Sequence, residues 1–199
     1  MSFGELIRSR RMTRDFSPEP LAPGLLDELL DSARRVPSAG NTQGFEFLVL
    51  DSPEAVSRYW DTTLPVPRRE RFGFPGLLTA PALVVVYADP RAYLQRYSEP
   101  DKAATGLGTD AAAWATPYWL VDASFAALAL QLAAVDAGLG VLFFGLFDRA
   151  PAVAERFGVP DHMEPVGTVA IGHRGGEVEG RSRRRPRRPL SEVVHRGAW

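Results

Sequence analysis

The sequence predicts a single domain with an α/β or α+β sandwich fold. The chain has 199 residues, of which 45% are hydrophobic and 24% charged, as in globular proteins with a sizeable core. Segments with the pattern of strands alternate with segments that have the pattern of helices, as expected when helices pack on a sheet. The sequence contains no internal repeat and no linker that would divide it.

The N-terminal part of the chain contains two predicted helices, a loop and a strand. Residues 3–11 have the pattern of a short helix. Residues 25–36 have a stronger helical pattern, with leucines on one side, and Pro37 ends it. The stretch SAGNTQG at 38–44 contains only small or amide residues, which indicates a loop. Residues 45–51 alternate between apolar and polar positions and are predicted to form a strand.

The middle of the chain is less regular. A short helix is predicted over residues 53–60, and residues 82–88 are apolar enough to form a central strand of a sheet. Prolines and glycines interrupt residues 89–118, which are predicted to form a lid or an excursion over a site.

A long apolar helix dominates the C-terminal part. Residues 119–140 predict a helix that ends at a glycine and is apolar on nearly every face. Such a helix must be buried in the domain centre or against a partner chain. A strand at 141–147, a helix at 150–159 and a strand at 166–173 are predicted to follow, before a C-terminal extension over 174–199.

Charge and composition exclude several classes of function. The formal net charge is −1, so the chain lacks the polycationic character of nucleic-acid binders. The absence of cysteine and the wide spacing of the three histidines argue against disulfides and a metal site. The N-terminal residues lack the apolar core of a signal peptide, and no uncharged apolar run reaches about 18 residues. We therefore expect a soluble, cytoplasmic protein that binds neither nucleic acid nor a membrane.

Two arginine clusters and one loop are the candidates for chemistry. The stretches RSRRMTRDF at 8–16 and RSRRRPRR at 181–188 lie at opposite ends of the chain. Arginines from different elements bind a phosphate well, because each guanidinium group offers two parallel donors. Spacing alone favours the alternative, in which the two clusters are solvated surfaces with weak ion pairs. The chain has no Walker loop, no complete dinucleotide fingerprint and no serine-nucleophile elbow.

Five stretches follow one another in a characteristic order: RRMTRDF, RRVPSAGNTQGFEFLVL, AVDAGLGVLFFGLF, VGTVAIGH and RRRPRRPLSEVVH. Together they resemble the nitroreductase family of FMN-dependent oxidoreductases, over nearly the whole chain except roughly residues 60–118. The resemblance implies an α+β fold, a three-layer α/β/α sandwich with a central, mostly antiparallel sheet. It also implies an intertwined homodimer with FMN at the interface and the long apolar helices packed together.

The resemblance implies two sets of cofactor-binding residues in the N-terminal part. The first set holds the FMN phosphate and ribityl chain in the family and corresponds to Arg10, Arg11, Met12 and Arg14. Met12 stands where the family commonly has serine. The second set lies along the flavin, largely across the subunit interface, and corresponds to Pro37, Ser38, Ala39, Asn41 and Gln43.

A third and a fourth set are implied near the end of the chain. Phe144 and Gly145 correspond to residues whose backbone N–H groups lie near flavin N5 and O4. Glycine suits this place, because a ring pressed against backbone leaves no room for a side chain. The late phosphate-binding pair corresponds to Arg185 and Arg187, with a register shift to Arg184 or Arg188 as the alternative.

The implied function is the transfer of hydride from NADH or NADPH through the flavin to a nitroaromatic, a quinone or an enone, by a ping-pong mechanism. The flavin, rather than a catalytic side chain, carries the chemistry. Six aromatic residues either line a pocket or simply pack: Trp60, Tyr93, Tyr97, Trp114, Tyr118 and Trp119. A reductive dehalogenase, a flavin-modifying enzyme and a non-catalytic flavin-binding module are the alternatives.

Overall fold

A four-stranded sheet forms the centre of the structure, a computed structural model that describes residues 1–176, 178, 180 and 185–199. The strands are β1 (Phe45–Leu50), β2 (Ala82–Ala88), β3 (Gly140–Phe144) and β4 (Glu164–Gly172). Their order in the sheet is β1-β2-β4-β3, and all neighbouring pairs are antiparallel. The antiparallel sheet that the resemblance implies is confirmed.

Helices cover both faces of this sheet. The described residues contain α1 (Phe3–Ser9), α2 (Leu25–Ala33), α3 (Pro53–Thr63), α4 (Val66–Arg69), α5 (Pro90–Tyr97), α6 (Tyr118–Asp136) and α7 (Ala150–Phe157). The first core cluster lies between the sheet and α2, α5 and α6, and the second lies between the sheet and α3 and α7. The structure therefore has the three layers of an α/β/α sandwich.

The central strand β2 shows why three layers form. All seven of its residues are buried. Val84 and Val86 belong to the first core cluster, whereas Val85 and Tyr87 belong to the second. Successive side chains of a strand point to opposite faces of the sheet, so a strand that is apolar throughout needs a helical layer on each side. The prediction of a central strand at 82–88 is confirmed.

The long helix α6 ends in a glycine cap, as its sequence predicts. Gly138 has a left-handed φ of 80°. Its N–H donates to the carbonyl oxygen of Val135 at 3.0 Å, and the N–H of Leu139 donates to that of Ala134 at 2.9 Å. This pair of hydrogen bonds is a Schellman motif, which stops the helix and turns the chain into β3.

One chain covers only part of α6. Its buried side packs against the sheet and α2, but Phe125 and Leu128 are each 45% exposed. Within the described part of the chain, α6 is the one helix long and apolar enough to cross a membrane by length and composition. Half of its most apolar 18-residue window is buried inside the structure.

Several predicted boundaries are wrong by a few residues. α1 stops at Ser9 rather than at residue 11, since the chain becomes extended and the N–H of Thr13 reaches the carbonyl oxygen of Val141 at 2.7 Å. α2 ends at Ala33 rather than at residue 36, and β3 ends at Phe144, before Gly145.

The region 89–118 contains a helix that the sequence pattern missed. The side chain of Asp89 caps α5 by accepting hydrogen bonds from the N–H groups of Arg91 at 2.9 Å and Ala92 at 3.3 Å. Pro90 occupies the first helical position, where its missing N–H costs nothing. The cap residue and the proline were both visible in the sequence and predict a helix start.

Most aromatic residues of the central region pack in the core. The rings of Tyr97 and Trp114 have centroids 4.6 Å apart, and those of Trp114 and Trp119 are 6.0 Å apart. Tyr93 lies edge-on to Trp114 at 5.9 Å, and Tyr93, Trp114 and Trp119 are all buried. Tyr118 is exposed, and Trp60 belongs to the opposite layer. A lid formed by residues 89–118 stays a prediction.

Candidate cofactor site

The first arginine segment runs along the edge of the sheet next to β3. Met12 forms a parallel bridge with Val141, and its side chain packs against the second core cluster. Gly140 allows this approach, because a Cβ atom there would lie 2.8 Å from Thr13 Oγ1. The backbone of residues 12–13 is therefore held by β3, which fixes the points from which the side chains of the flanking arginines extend.

Arg10 is the arginine of this segment that is placed for a ligand. The residue is half-buried, and its Nη1 is buried with no hydrogen-bond partner among the described residues. A buried charged donor without a partner costs about 1–3 kcal/mol or more. An anionic group beside Arg10 would remove this cost, since guanidinium groups form strong hydrogen bonds with phosphate oxygens.

Arg11 and Arg14 make contacts within the chain. Arg11 is exposed, and its Nη1 donates to the carbonyl oxygen of Arg8 at 2.5 Å. Arg14 donates from Nη1 to the carbonyl oxygen of Met12 at 3.1 Å, and its guanidinium carbon lies 5.4 Å from the centre of the Phe74 ring. Arg14 therefore has a structural role that its position in the motif does not reveal.

The loop at residues 38–43 has a strained backbone. Gly40, Asn41 and Gln43 have φ values of 62°, 52° and 55°, in the left-handed region. Ser38 Oγ accepts a hydrogen bond from the N–H of Gln43 at 2.8 Å, which closes the loop. Asn41 and Gln43 are exposed, as is the preceding Pro37, so the loop presents amide groups to the surface.

Three residues that are not among the predicted site residues attach this loop to the rest of the domain. Asp122 Oδ2 accepts a hydrogen bond from the N–H of Ala39 at 2.8 Å and one from the hydroxyl of Tyr93 at 2.7 Å. Arg96 Nε donates to the carbonyl oxygen of Gly40 at 2.9 Å. Burial, together with the bond to Asp122, raises the pKa of Tyr93 far above its usual value, so Tyr93 stays a neutral donor. Asp122 is conspicuous in the sequence because it interrupts an apolar helix.

The end of β3 brings Phe144 and Gly145 to the rim of the sheet. The ring of Phe144 stacks on Trp60 in the second core cluster, which fixes the strand end. A Cβ atom on Gly145 would lie 3.2 Å from the ring of Phe147. Phe147 is 87% exposed and has a φ of 49°, which is unusual for an aromatic residue.

The C-terminal extension starts beside the first arginine segment. The N–H groups of Gly175 and Gly176 donate to the backbone and side-chain oxygens of Asp15 at 2.9 and 2.6 Å. A Cβ atom on Gly180 would lie 2.6 Å from the Arg14 guanidinium group. The extension therefore follows the segment that carries Arg10 and Arg14.

Two of the predicted late arginines can be described. Arg185 and Arg187 are exposed. Of the two register alternatives, Arg188 pairs with Glu192 at 3.2 Å on the surface, and Arg184 lies outside the described residues. The meeting of this cluster with Arg10 around one phosphate stays a prediction.

A groove of about 470 Å³ lies next to the strained loop. Gln43 and Phe45 form one side of it, and residues of α2 form the other. The exposed amide of Gln43 thus borders a concave surface that a ligand or a second chain can enter.

Comparison with known proteins places these features in a family. Residues 7–173 match the model of the nitroreductase family. A protein of Archaeoglobus fulgidus assigned as an NADH dehydrogenase/NAD(P)H nitroreductase is 28% identical over 204 residues, which cover 98% of this chain and 97% of the relative. The FMN reductase (NADPH) of Bacillus subtilis is 24% identical over 196 residues, which cover 98% of this chain and 73% of the relative.

A solved structure gives the same result for the fold. A protein of Exiguobacterium sibiricum, assigned as a nitroreductase and solved in complex with FMN, has a TM-score of 0.76 with this chain. The two chains are 22% identical, and the match covers 98% of this chain and 97% of that one. At this identity the match shows that they share a fold.

Proposed function

The chain belongs to the nitroreductase family, and from this premise we propose that it is an FMN-dependent oxidoreductase that uses NADH or NADPH to reduce a small organic acceptor. The acceptor classes we propose are nitroaromatics, quinones and enones. Relatives named as an NAD(P)H nitroreductase and as an FMN reductase (NADPH) support the reductant and the cofactor. The match over residues 7–173 includes all the predicted site residues except the late arginines.

The observation that carries this proposal is the buried Nη1 of Arg10, which has no hydrogen-bond partner among the described residues. A phosphate group at this place would accept the hydrogen bond that no described residue accepts. Arg10 comes from the segment beside β3, and Phe144 and Gly145 end the same strand. The phosphate and ring ends of one elongated cofactor would thus be held by neighbouring parts of the sheet edge.

When bound, FMN would supply the redox chemistry, by which a hydride from NAD(P)H passes to the acceptor in a ping-pong sequence. The protein would supply position and electrostatics. The backbone N–H groups of Phe144 and Gly145 would donate hydrogen bonds to the ring edge, where they stabilise negative charge. The exposed ring of Phe147, which lies against Gly145, would contact a planar acceptor.

The loop at 38–43 would bind along the cofactor. Its amide side chains, Asn41 and Gln43, are exposed, and Gln43 Nε2 donates a hydrogen bond to Asn41 Oδ1 at 3.4 Å. Each can donate and accept a hydrogen bond, which suits the mixed donor and acceptor edge of a flavin.

We also propose a homodimer in which two copies of α6 pack together. Phe125 and Leu128 are each 45% exposed in one chain, and Val121 and Leu132 lie half-buried on the same side of the helix. An apolar helix face of this kind is normally covered by another chain. In this dimer each loop at 38–43 would approach the cofactor across the interface.

The visible absorption spectrum of the purified protein tests the proposal. We expect a flavin spectrum, either as purified or after addition of FMN, and loss of the oxidised-flavin absorbance when NADH or NADPH is mixed with the protein under anaerobic conditions. A protein that takes up no FMN contradicts the cofactor assignment. A flavoprotein whose absorbance is unchanged by millimolar NAD(P)H is a binding module rather than a reductase.

A further inference from the structure

We propose that Asp122 is a positioning residue that holds the 38–43 loop in its strained, cofactor-binding conformation. The proposal rests on the proposed function for the identity of the ligand, but the contacts that carry it lie within the chain. Asp122 lies on α6, whereas the loop precedes β1, so the fold brings them together from distant parts of the sequence.

The loop needs an external anchor, because its own conformation is unfavourable. Asn41 and Gln43 both have left-handed φ values, at 52° and 55°, although neither is glycine. Residues in this region persist only where the surrounding contacts determine the backbone. The bonds inside the loop, from Gln43 N–H to Ser38 Oγ and from Thr42 Oγ1 to the carbonyl oxygen of Ala39, close it but do not attach it to the domain.

Asp122 supplies the attachment at the start of the loop. Its side chain is buried, with 2% of the residue exposed. One oxygen, Oδ2, accepts hydrogen bonds from the N–H of Ala39 at 2.8 Å and from the hydroxyl of Tyr93 at 2.7 Å. The carboxylate thus joins three elements, α6, α5 and the loop, at one atom.

The neighbouring contacts on α5 complete the support. Arg96 holds the carbonyl oxygen of Gly40 at 2.9 Å. A Cβ atom on Gly44 would lie 2.6 Å from the Tyr93 ring, so the chain passes directly over that ring after the loop. Tyr93 has two roles here, since its ring supports the backbone and its hydroxyl orients the carboxylate.

A comparison of Asp122 with another residue of α6 distinguishes a role in positioning the loop from a general contribution to stability. Gln131 is the other buried polar residue of this helix, with 5% of it exposed. Among the described residues, its Nε2 donates only to the carbonyl oxygen of Ala127 in the same helix. Burial of a carboxylate costs free energy unless the group is well hydrogen-bonded. The presence of Asp122 in an apolar helix therefore needs an explanation, and that explanation does not apply to the uncharged Gln131.

The test compares Asp122→Ala, Asp122→Asn and Tyr93→Phe with the matched control Gln131→Ala. The dissociation constant for FMN is measured by fluorescence quenching with each apoprotein, well below its thermal midpoint. We expect Asp122→Ala to raise this constant about tenfold or more, as loss of one or two hydrogen bonds implies. Asp122→Asn keeps an acceptor oxygen and should retain most of the affinity, Tyr93→Phe should have an intermediate effect, and Gln131→Ala should have none.

Hydrogen exchange of the apoproteins gives a readout that does not depend on FMN. Amides of residues 38–44 should exchange faster in Asp122→Ala than in the wild type, and at the wild-type rate in Gln131→Ala. Equal FMN dissociation constants and equal exchange rates for Asp122→Ala and Gln131→Ala would overturn the inference. If Asp122→Ala does not fold, Tyr93→Phe decides the same question: exchange of residues 38–44 that is faster than in Gln131→Ala supports the inference, and equal exchange overturns it. If the wild type binds no FMN, the proposed function fails, and the exchange rates alone decide whether Asp122 holds the loop.

Discussion

The indole ring of Trp60 lies nearly parallel to the ring of Phe144, with centroids 5.9 Å apart and planes inclined by 12°. Trp60 is buried on α3, and its Nε1 has no hydrogen-bond partner in the part of the chain that the structure describes. The contact connects the helical layer of the second core cluster to the end of β3. Phe144 precedes Gly145, so the stack sets the direction in which the chain leaves the sheet.

Trp60→Ala is expected to lower the free energy of unfolding by about 3–5 kcal/mol, because it opens a large cavity. Trp60→Phe keeps a ring on Phe144 and removes a buried N–H that has no partner among the described residues, so its cost should be less than half as large. Urea denaturation of the two variants measures the difference. A loss for Trp60→Phe as large as that for Trp60→Ala would show that a phenyl ring at this position neither fills the space nor preserves the stack.

Local sequence patterns predicted those parts of the fold that depend on residues adjacent in the sequence. The apolar run of β2 requires two covering layers, and Gly138 marks the end of α6 through its left-handed φ of 80°. Both are properties of a few consecutive residues. The order of motifs then predicted the family, and the match over residues 7–173 confirmed it.

Contacts between distant residues were not predictable in this way. Ala39 and Asp122 are 83 positions apart, and a motif specifies neither member's partner. Arg14 has the spacing of a phosphate ligand, but it lies over the Phe74 ring and donates to Met12. Arg10, four positions earlier, has a buried nitrogen with no hydrogen-bond partner in the described part of the chain. Spacing grouped these two arginines, and only the packing of their side chains distinguishes them.

Arg10→Ala is expected to raise the FMN dissociation constant about tenfold or more, because a charged hydrogen bond contributes about 1.5–3 kcal/mol. Arg8→Ala is the matched control, since the exposed Arg8 lies in the same cluster at the end of α1. Fluorescence titration of both apoproteins measures the effect. An Arg10→Ala protein that binds as tightly as Arg8→Ala would remove Arg10 from the phosphate site.

Alkaline pH should destabilise the protein partly through Tyr87. Burial raises the pKa of Tyr87 to about 12, above the value of about 10 in an unfolded chain. The native state therefore favours the neutral phenol, and this contribution is complete below pH 10 and is lost as the pH rises to about 12. We expect the free energy of unfolding to fall across that range, and to fall less in Tyr87→Phe.

Urea denaturation at pH 7 and at pH 11 checks this difference. The Tyr87 hydroxyl is buried and has no hydrogen-bond partner in the described residues, so Tyr87→Phe should change stability at pH 7 by less than about 1 kcal/mol. Burial also raises the pKa of Tyr59, so part of the alkaline loss should persist in the variant. The same loss in both proteins would show that Tyr87 does not contribute to it.

Gly145→Ala should weaken FMN binding without unfolding the protein. The added Cβ would lie 3.2 Å from the Phe147 ring, which can move because Phe147 is exposed. We expect a stability change below about 1 kcal/mol and a dissociation constant about tenfold higher, since the methyl group would occupy space beside the bound ring. Gly158→Ala is the control, because its φ of 68° makes alanine cost about 1 kcal/mol at the C-terminal end of α7, where no site residue is predicted. The assignment of Gly145 fails if neither variant changes the affinity for FMN.

The exposed face of α6 should be the contact between two copies of the chain. Phe125→Glu and Leu128→Glu place a charge on residues that are each 45% exposed in one chain, and burial of an unpaired charge in an interface is strongly unfavourable. We expect both variants to be monomers by light scattering coupled to size-exclusion chromatography, while the wild type is a dimer. Val66→Glu, which changes an apolar residue on α4 that is 63% exposed, should remain dimeric.

The monomers should also lose FMN, because each loop at 38–43 would no longer face a cofactor across the interface. Dimeric Phe125→Glu and Leu128→Glu proteins would exclude α6 as the contact, and a monomeric wild type that retains FMN would show that one chain completes the site.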